Sequence, residues 1–136
     1  MDRDTFSCEI LKRIKECELK EINEEVIKKT EKLSKNGIYF IYGEDKENVI
    51  YVGKVGCGND TSVAHRFYLH YDGAHIKKEW FQKYAKFYRF CAFPNATKEE
   101  IELIERLMIY TNNQPIFNDK DTSEEGNDFE SLLKRL

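Results

Sequence analysis

Two tyrosines lie twelve positions apart in this chain, each in a short apolar run, Gly37-Ile38-Tyr39 and Tyr51-Val52-Gly53. Hydrolysis of a phosphodiester needs an activated water, a neutralised phosphate and a stabilised leaving oxygen. A phenol, a guanidinium, an imidazole and a carboxylate supply these functions together with one metal ion. Side chains suited to these tasks, or to supporting them, follow the tyrosines and are Lys54, Arg66, His70, Glu105 and Asn118. This set indicates cleavage of a phosphodiester.

The two tyrosine runs have the composition of β-strands. Residues 37–43 and 49–53 are rich in aliphatic and aromatic residues, and the polar link 44–48 separates them. This pattern predicts a β-hairpin, which would put the phenols of Tyr39 and Tyr51 on adjacent strands. The alternative is that both are sheet-packing tyrosines, which is the usual role of a tyrosine in a strand.

Helical patterns flank this hairpin. Apolar residues at helical spacing and Glu–Lys pairs four residues apart predict helix over residues 7–34, as one long helix or two shorter ones. Thr61 or Ser62 is suited to cap a second helix, which would reach about residue 71. Arg66 and His70 would lie one turn apart on it, where a solvated face is the simpler interpretation.

The second half of the chain predicts a short basic helix, a third strand and two further helices. These cover residues 75–84, 86–93, 97–110 and 128–136, in that order. The third of them opens on a capping box, Thr97-Lys98-Glu99-Glu100, and it would carry Glu105. A glutamate on a helix is most often only part of its soluble surface.

In order and spacing, these residues resemble the GIY-YIG nuclease family. Gly37-Ile38-Tyr39 matches the first signature of that family, and Tyr51-Val52-Gly53 matches the common variant of the second. The family also has a basic residue, a helix arginine, a histidine or aromatic residue, a metal-binding glutamate and a late asparagine. These fall on Lys54, Arg66, His70, Glu105 and Asn118.

The resemblance implies an α+β fold with a three-stranded antiparallel sheet flanked by helices. Residues 37–118 would form the nuclease-like domain. Residues 1–36 would be an N-terminal helical extension, and residues 119–136 an acidic tail with a short helix. The N-terminal helix would either cover a sheet face or contact a protein partner or a second copy of the chain.

The resemblance also implies a DNA endonuclease that uses Mg²⁺ or Mn²⁺. Glu105 would hold the metal, and Glu102, one turn earlier, is its possible competitor. Arg66 would contact the phosphate oxygens. Either Tyr39 or Tyr51 would accept the proton of the attacking water, since nothing in the sequence chooses between them.

The other three motif residues would assist this chemistry. Lys54 is a candidate cation for lowering the pKa of a phenol, which is otherwise a poor base at neutral pH. His70 would position water or share in proton transfer. Asn118 would orient Glu105 or the backbone near it.

The charge distribution bears on the partner. The net charge is −3, but residues 51–93 hold seven Lys or Arg against three Asp or Glu. A basic middle in an acidic chain is typical of a phosphate-facing surface, although solvated faces also vary in charge. The side chains expected to contact duplex or branched DNA are Lys54, Arg66, Lys77, Lys78 and Lys83.

The sequence also indicates a compartment. No apolar run approaches membrane-spanning length, and the charged start does not resemble a secretory leader. We therefore expect a cytoplasmic protein without membrane contact. The four cysteines include no C-x-x-C pair, which favours free thiols in a reducing compartment.

Two other functions fit the same residues. The chain could bind nucleic acid with negligible cleavage, or act on RNA. It could also be an interaction protein whose N-terminal helix recruits a partner. Intact Tyr39, Tyr51, Arg66 and Glu105 favour catalysis over binding alone.

Overall fold

A computed structural model of the chain describes residues 1–23, 36–55, 78–113, 115, 118 and 128–136, with the backbone alone at 78 and 79. These residues form the expected mixed fold, in which helices pack on an antiparallel sheet. The elements are α1 (Arg3–Lys15), β1 (Lys20–Glu21), β2 (Gly37–Tyr42), β3 (Val49–Val55), α2 (Lys78–Tyr84), β4 (Phe87–Ala92), α3 (Lys98–Thr111) and α4 (Phe129–Arg135). None of these helices is long and apolar enough to span a bilayer.

The sheet has the strand order β1-β4-β2-β3, and each neighbouring pair is antiparallel. β2 and β3 form the hairpin predicted from the two tyrosine runs, and β4 is the predicted third strand. The prediction of three strands was one strand short, because β1 extends the sheet beyond β4. β1 consists of Lys20 and Glu21, two exposed charged residues that carry no strand signal in the sequence.

The N-terminal helix begins earlier and ends sooner than predicted. Asp2 caps α1 by accepting a hydrogen bond from the Thr5 amide at 2.8 Å, so the helix starts before residue 7. The prediction of helix beyond Lys15, in one long helix or two shorter ones, was wrong for residues 16–23, because the chain turns after Lys15 and Lys20–Glu21 pairs with β4. The rest of the predicted helix, residues 24–34, lies outside the described residues.

Alternation along the strands gives each face of the sheet its own core. On one face, Ile38, Phe40 and Val52 are fully buried in a cluster with residues of α1 and α3. On the other face, Tyr39 and Ile41 are buried in a cluster with residues of α2. We call these the α3 face and the α2 face. Apart from a register shift between Ile41 and Tyr42, the pairing of β2 with β3 assigns their side chains to one face or the other.

A capping box and the helices near the two ends of the chain, α1 and α4, hold α3 in place on the sheet. Thr97 and Glu100 form the predicted capping box at its start. The predicted last helix, α4, docks beside it through an ion pair between Arg135 and Glu100. Phe129 of α4 also packs against Phe6 of α1, with ring centroids 5.0 Å apart. α1, α3 and α4 therefore share one core.

Candidate active site on the β2–β3 hairpin

The two tyrosine phenols project from the same face of the hairpin. Tyr39 is paired with Gly53 in the strand register, and Tyr51 is paired with Ile41. Cross-strand partners share a face, so both tyrosines lie on the α2 face, and their ring centroids are 6.2 Å apart. Tyr39 is 2% exposed, whereas Tyr51 is only partly buried. Of the two tyrosines, Tyr51 is the more exposed to solvent.

The glycines of both motifs leave room for aromatic rings. A Cβ at residue 53 would overlap the Cζ and Oη atoms of Tyr39. A Cβ at residue 37 would overlap the ring of Phe90 and the carbonyl oxygen of Cys91. Neither glycine has a positive φ, so packing across the sheet, not backbone conformation, explains both Gly37 and Gly53.

Helix α2 covers Tyr51. The ring of Trp80 lies against the ring of Tyr51, with 5.1 Å between their centroids, and Trp80 is itself buried. On the outer side of the helix, Lys83 and Tyr84 are exposed, and Lys83 Nζ lies 5.2 Å from the centroid of the Tyr84 ring. A cation beside an exposed aromatic ring suits contact with nucleic acid.

Lys54 is joined to α3 by an ion pair. It is paired with Ile38 in the register, so it lies on the α3 face, and its Nζ is 3.1 Å from Oε1 of Glu102. The hydrogen bond from Lys54 lowers the pKa of Glu102. Sequence reasoning considered Glu102 only as a rival metal ligand. It missed this pairing because the two residues are 48 positions apart and no local pattern links them.

Glu105 is buried on α3. It is 3% exposed, and neighbouring residues on the helix, such as Ile104 and Met108, are fully buried. Glu105 has an interaction partner within the fold, as a buried carboxylate requires. It follows Glu102 by one helical turn, so their Cβ atoms are about 6 Å apart. Glu102, the ion-pair partner of Lys54, and Glu105 therefore lie on consecutive turns of α3.

Helix α3, which carries Glu105, and the two phenols lie on opposite faces of the sheet. α3 packs on the face that carries Phe40 and Val52, whereas Tyr39 and Tyr51 project from the opposite face. A substrate that contacts both Glu105 and the two phenols must therefore extend around an end of β3 or around its outer edge. β3 is the last strand of the sheet in the described part of the chain.

Asn118 lies at that outer edge. Its Nδ2 donates a hydrogen bond to the carbonyl of Val52 at 2.9 Å, and its Oδ1 accepts one from the Val52 amide at 2.8 Å. The side chain thus pairs with the backbone between Tyr51 and Gly53, as a neighbouring strand would. These bonds join residues 66 positions apart. From the sequence, Asn118 was expected to orient Glu105 or the backbone near it. The two hydrogen bonds described here go to the backbone of Val52 on β3.

Glu105 is the carboxylate expected to hold Mg²⁺ or Mn²⁺. In the described ranges, no group of three or more His, Cys, Asp or Glu side chains is arranged to hold a metal. Mg²⁺ usually keeps several waters and binds through one or two carboxylates plus substrate phosphates. A single carboxylate such as Glu105 is a donor of the type that this chemistry uses.

The remaining expected site residues lie outside the described part of the chain. These are Arg66, His70, Lys77 and the side chain of Lys78. The helix predicted after Thr61 or Ser62 lies there as well. The described part of the candidate site therefore consists of Tyr39, Tyr51, Lys54, Lys83, Glu105 and Asn118.

Fold and site together define an α+β protein with a four-stranded antiparallel sheet, in which one hairpin carries two neighbouring phenols. Comparison with protein-family models, with curated proteins and with solved structures gives no match to this chain. Its function is therefore argued from the site residues and from the motifs on which they lie.

Proposed function

We propose that this chain is a metal-dependent DNA endonuclease of the GIY-YIG type, with a nuclease-like domain at residues 37–118. One observation carries the proposal. The side-chain amide of Asn118 pairs with the backbone of Val52, inside Tyr51-Val52-Gly53. Residues matched to the second and the last motifs of the family are therefore in direct contact. A chance resemblance along the sequence gives no reason for that contact.

Tyr51 accepts the proton of the attacking water. A general base must lie within hydrogen-bonding reach of that water, and Tyr51 is partly exposed while Tyr39 is buried. Tyr39 has a positioning role, since its ring and that of Trp80 contact the Tyr51 ring. A phenol becomes an effective base when positive charge near it lowers its pKa.

The basic residues supply that charge and hold the phosphate. Arg66 contacts the phosphate oxygens, for which its planar fork is suited, and His70 positions water or shares in proton transfer. Lys54 adds positive charge on the opposite face of the sheet. Because Glu102 lies 3.1 Å from the ammonium group of Lys54, Glu102 competes with a phosphate for this lysine.

Glu105 holds the divalent metal, which when bound neutralises charge on the phosphate and on the leaving oxygen. The fully buried neighbours of Glu105 on α3, Ile104 and Met108, support a fixed position for this side chain. Asn118 fixes the β3 edge that separates the Glu105 side of the sheet from the Tyr51 side.

Helix α2 supports contact with DNA. It presents Lys83 and Tyr84 to solvent, and Trp80 on its inner side contacts Tyr51. A lysine neutralises a phosphate and an exposed tyrosine ring stacks on an unpaired base. Together with Lys78, its first residue, and Lys77, which precedes Lys78 in the sequence, this helix is the proposed DNA-binding surface beside the catalytic tyrosine.

The test is cleavage of supercoiled plasmid and of branched and flapped duplexes in the presence of Mg²⁺ or Mn²⁺. We expect metal-dependent cutting, and a loss of at least about 100-fold in Glu105→Gln with unchanged DNA binding. Glu99→Gln is the matched control, because Glu99 is an exposed glutamate on the same helix. Cutting that survives in Glu105→Gln would end the proposed role of this residue.

A second substitution pair tests the choice of base. Tyr51→Phe should lower the cleavage rate by about 100-fold or more without loss of DNA binding. Tyr39→Phe should have a smaller effect, since Tyr39 is buried. Tyr110→Phe, at an exposed tyrosine on α3, controls for loss of a phenol. A larger loss in Tyr39→Phe than in Tyr51→Phe would reverse the assignment.

One observation favours a second function, which is nucleic-acid binding without cleavage. Glu105 is 3% exposed, and the helix that carries it packs on the sheet face opposite the phenols, an arrangement that suits a buried structural carboxylate. On this alternative, the protein binds the same branched and duplex substrates but cuts none of them in either metal. Glu105→Gln would then lower the thermal stability and leave DNA binding unchanged.

A further inference from the structure

Two of the cysteines lie on adjoining segments of the fold. Cys17 is in the short connection between α1 and β1, and Cys91 is on β4. β1 and β4 are antiparallel, with Lys20 opposite Tyr88 and Glu21 opposite Phe87. Residues 17–19 precede the paired segment, and the same register continued over them would bring Cys17 opposite Cys91.

Hydrogen bonds fix the backbone of both cysteines. The guanidinium of Arg89, two residues before Cys91 on β4, donates to the carbonyl of Cys17. The thiol of Cys17 in turn lies 3.4 Å from the carbonyl of Arg13. Cys91 is held in the sheet by its pairing with Ile38 of β2. The hydrogen bond from Arg89 to Cys17 therefore supports the continuation of the β1–β4 register as far as the two cysteines.

The two side chains are also neighbours, and both thiols are free. Burial is the main cause that raises the pKa of Cys91 to about 12, and the adjacent thiol of Cys17 raises it further. Cys91 is therefore protonated at neutral pH and reacts slowly as a nucleophile. Opposed residues of antiparallel strands have Cα atoms about 4.5 or 5.5 Å apart. Both separations lie within the range that a disulfide spans.

We propose that Cys17 and Cys91 form an oxidation site, at which a small-molecule disulfide such as glutathione disulfide generates an intramolecular disulfide bond. The thiolate of Cys17 attacks one sulfur of the reagent, whose sulfur–sulfur bond breaks and releases one thiol. Cys91 then loses its proton and attacks the sulfur of Cys17, which releases the second thiol. Two protein thiols are oxidised, and one reagent disulfide is reduced to two thiols.

The bond would tie the connection after α1 to the middle of the sheet. β1 has two residues, so the non-covalent hold of this segment on β4 is short. A cross-link between positions so far apart in the chain removes many conformations from the unfolded state. We therefore expect oxidation to raise the Tm of the protein by about 10 °C.

The experiment treats the folded full chain with glutathione disulfide, alkylates the remaining thiols and maps the peptides by mass spectrometry. We expect a peptide that links Cys17 to Cys91, a monomer on a non-reducing gel, and a raised Tm that falls back on reduction. Cys8→Ser should behave as the parent protein, because Cys8 is exposed and on α1. Cys17→Ser and Cys91→Ser should each abolish the rise in Tm.

Two results would overturn the proposal. One is a disulfide that joins other cysteines or two chains. The other is alkylation of both Cys17 and Cys91 in folded protein after prolonged oxidation. Should Cys91→Ser fold poorly in the reduced state, far-ultraviolet circular dichroism identifies this. Cys17→Ser, at the residue outside the sheet, then decides the outcome.

Discussion

The phenol of Tyr39 lies directly over Gly53, its partner on the neighbouring strand, and fills the volume that a Cβ at residue 53 would occupy. Tyr39 and Gly53 stand fourteen positions apart in the sequence and pack directly against each other. We call this pair the packing unit. The same unit sets the position of Tyr51, whose ring is 6.2 Å from that of Tyr39.

Gly53→Ala should destabilise the protein by about 1–3 kcal/mol, because the added methyl group forces the buried Tyr39 ring to move. Chemical denaturation followed by tryptophan fluorescence would measure this change. Gly43→Ala is the matched control, since the nearest atom to a Cβ there is the Tyr84 carbonyl oxygen at 3.7 Å. Equal stability losses in the two variants would contradict the packing unit.

Asn118→Ala should cost about 1–3 kcal/mol, because the Val52 amide and carbonyl lose their hydrogen bonds to the side chain. Hydrogen exchange should locate the effect, with the Val52 amide exchanging faster than in the parent protein. Asn95→Ala, at an exposed turn residue, should change neither quantity. Protection of Val52 that is unaffected in Asn118→Ala would show that the two bonds contribute nothing.

Local signals in the sequence were sufficient for most of the fold. The hairpin follows from two apolar runs around a short polar link, and the start of α3 follows from Thr97 and Glu100, three residues apart. β1 could not be predicted, because Lys20 and Glu21 form a strand only through pairing with β4. That tertiary contact overrides the helical pattern of Glu and Lys around them.

The candidate site was predictable in its residue types and only partly in its contacts. Neighbouring strands brought Tyr39 and Tyr51 together, as expected from the hairpin. The bond of Asn118 to Val52 and the ion pair of Lys54 with Glu102 join residues 66 and 48 positions apart. No local pattern in the sequence predicts such pairings. Nor does a local pattern predict that α3, which carries Glu105, packs on the sheet face opposite the phenols.

Glu102→Gln should strengthen DNA binding, because it frees Lys54 from its ion pair. An additional phosphate neutralised by Lys54 would steepen the plot of log binding constant against log salt concentration by about 0.9. Fluorescence anisotropy with labelled duplex over a salt series measures this slope. Glu99→Gln removes the same charge from the same helix and should leave the slope unchanged. Identical slopes in the two variants would place Lys54 away from the DNA.

Acidification should loosen α4. The ion pair with Arg135 is the main cause that lowers the pKa of Glu100 in the folded protein, below its unfolded value of about 4.3. Stabilisation by this pair is therefore present above about pH 4.3 and is lost as the pH falls through the lower, folded value. Near-ultraviolet circular dichroism and thermal melts between pH 6 and pH 3 would follow it.

Arg135→Gln should weaken this acid dependence, because Glu100 then keeps only its capping hydrogen bonds with Thr97. Lys134→Gln is the control, as Lys134 lies beside Arg135 on α4 and is largely exposed. An acid limb of unchanged size in Arg135→Gln would show that the ion pair with Arg135 does not cause it.

β3 ends the sheet in the described part of the chain, and a bare outer strand is a template on which foreign strands add. The amide of Asn118 already occupies the Val52 position on that strand. The chain thereby blocks edge-to-edge association at the strand that bears Tyr51. Loss of this one side chain would remove that block at Val52.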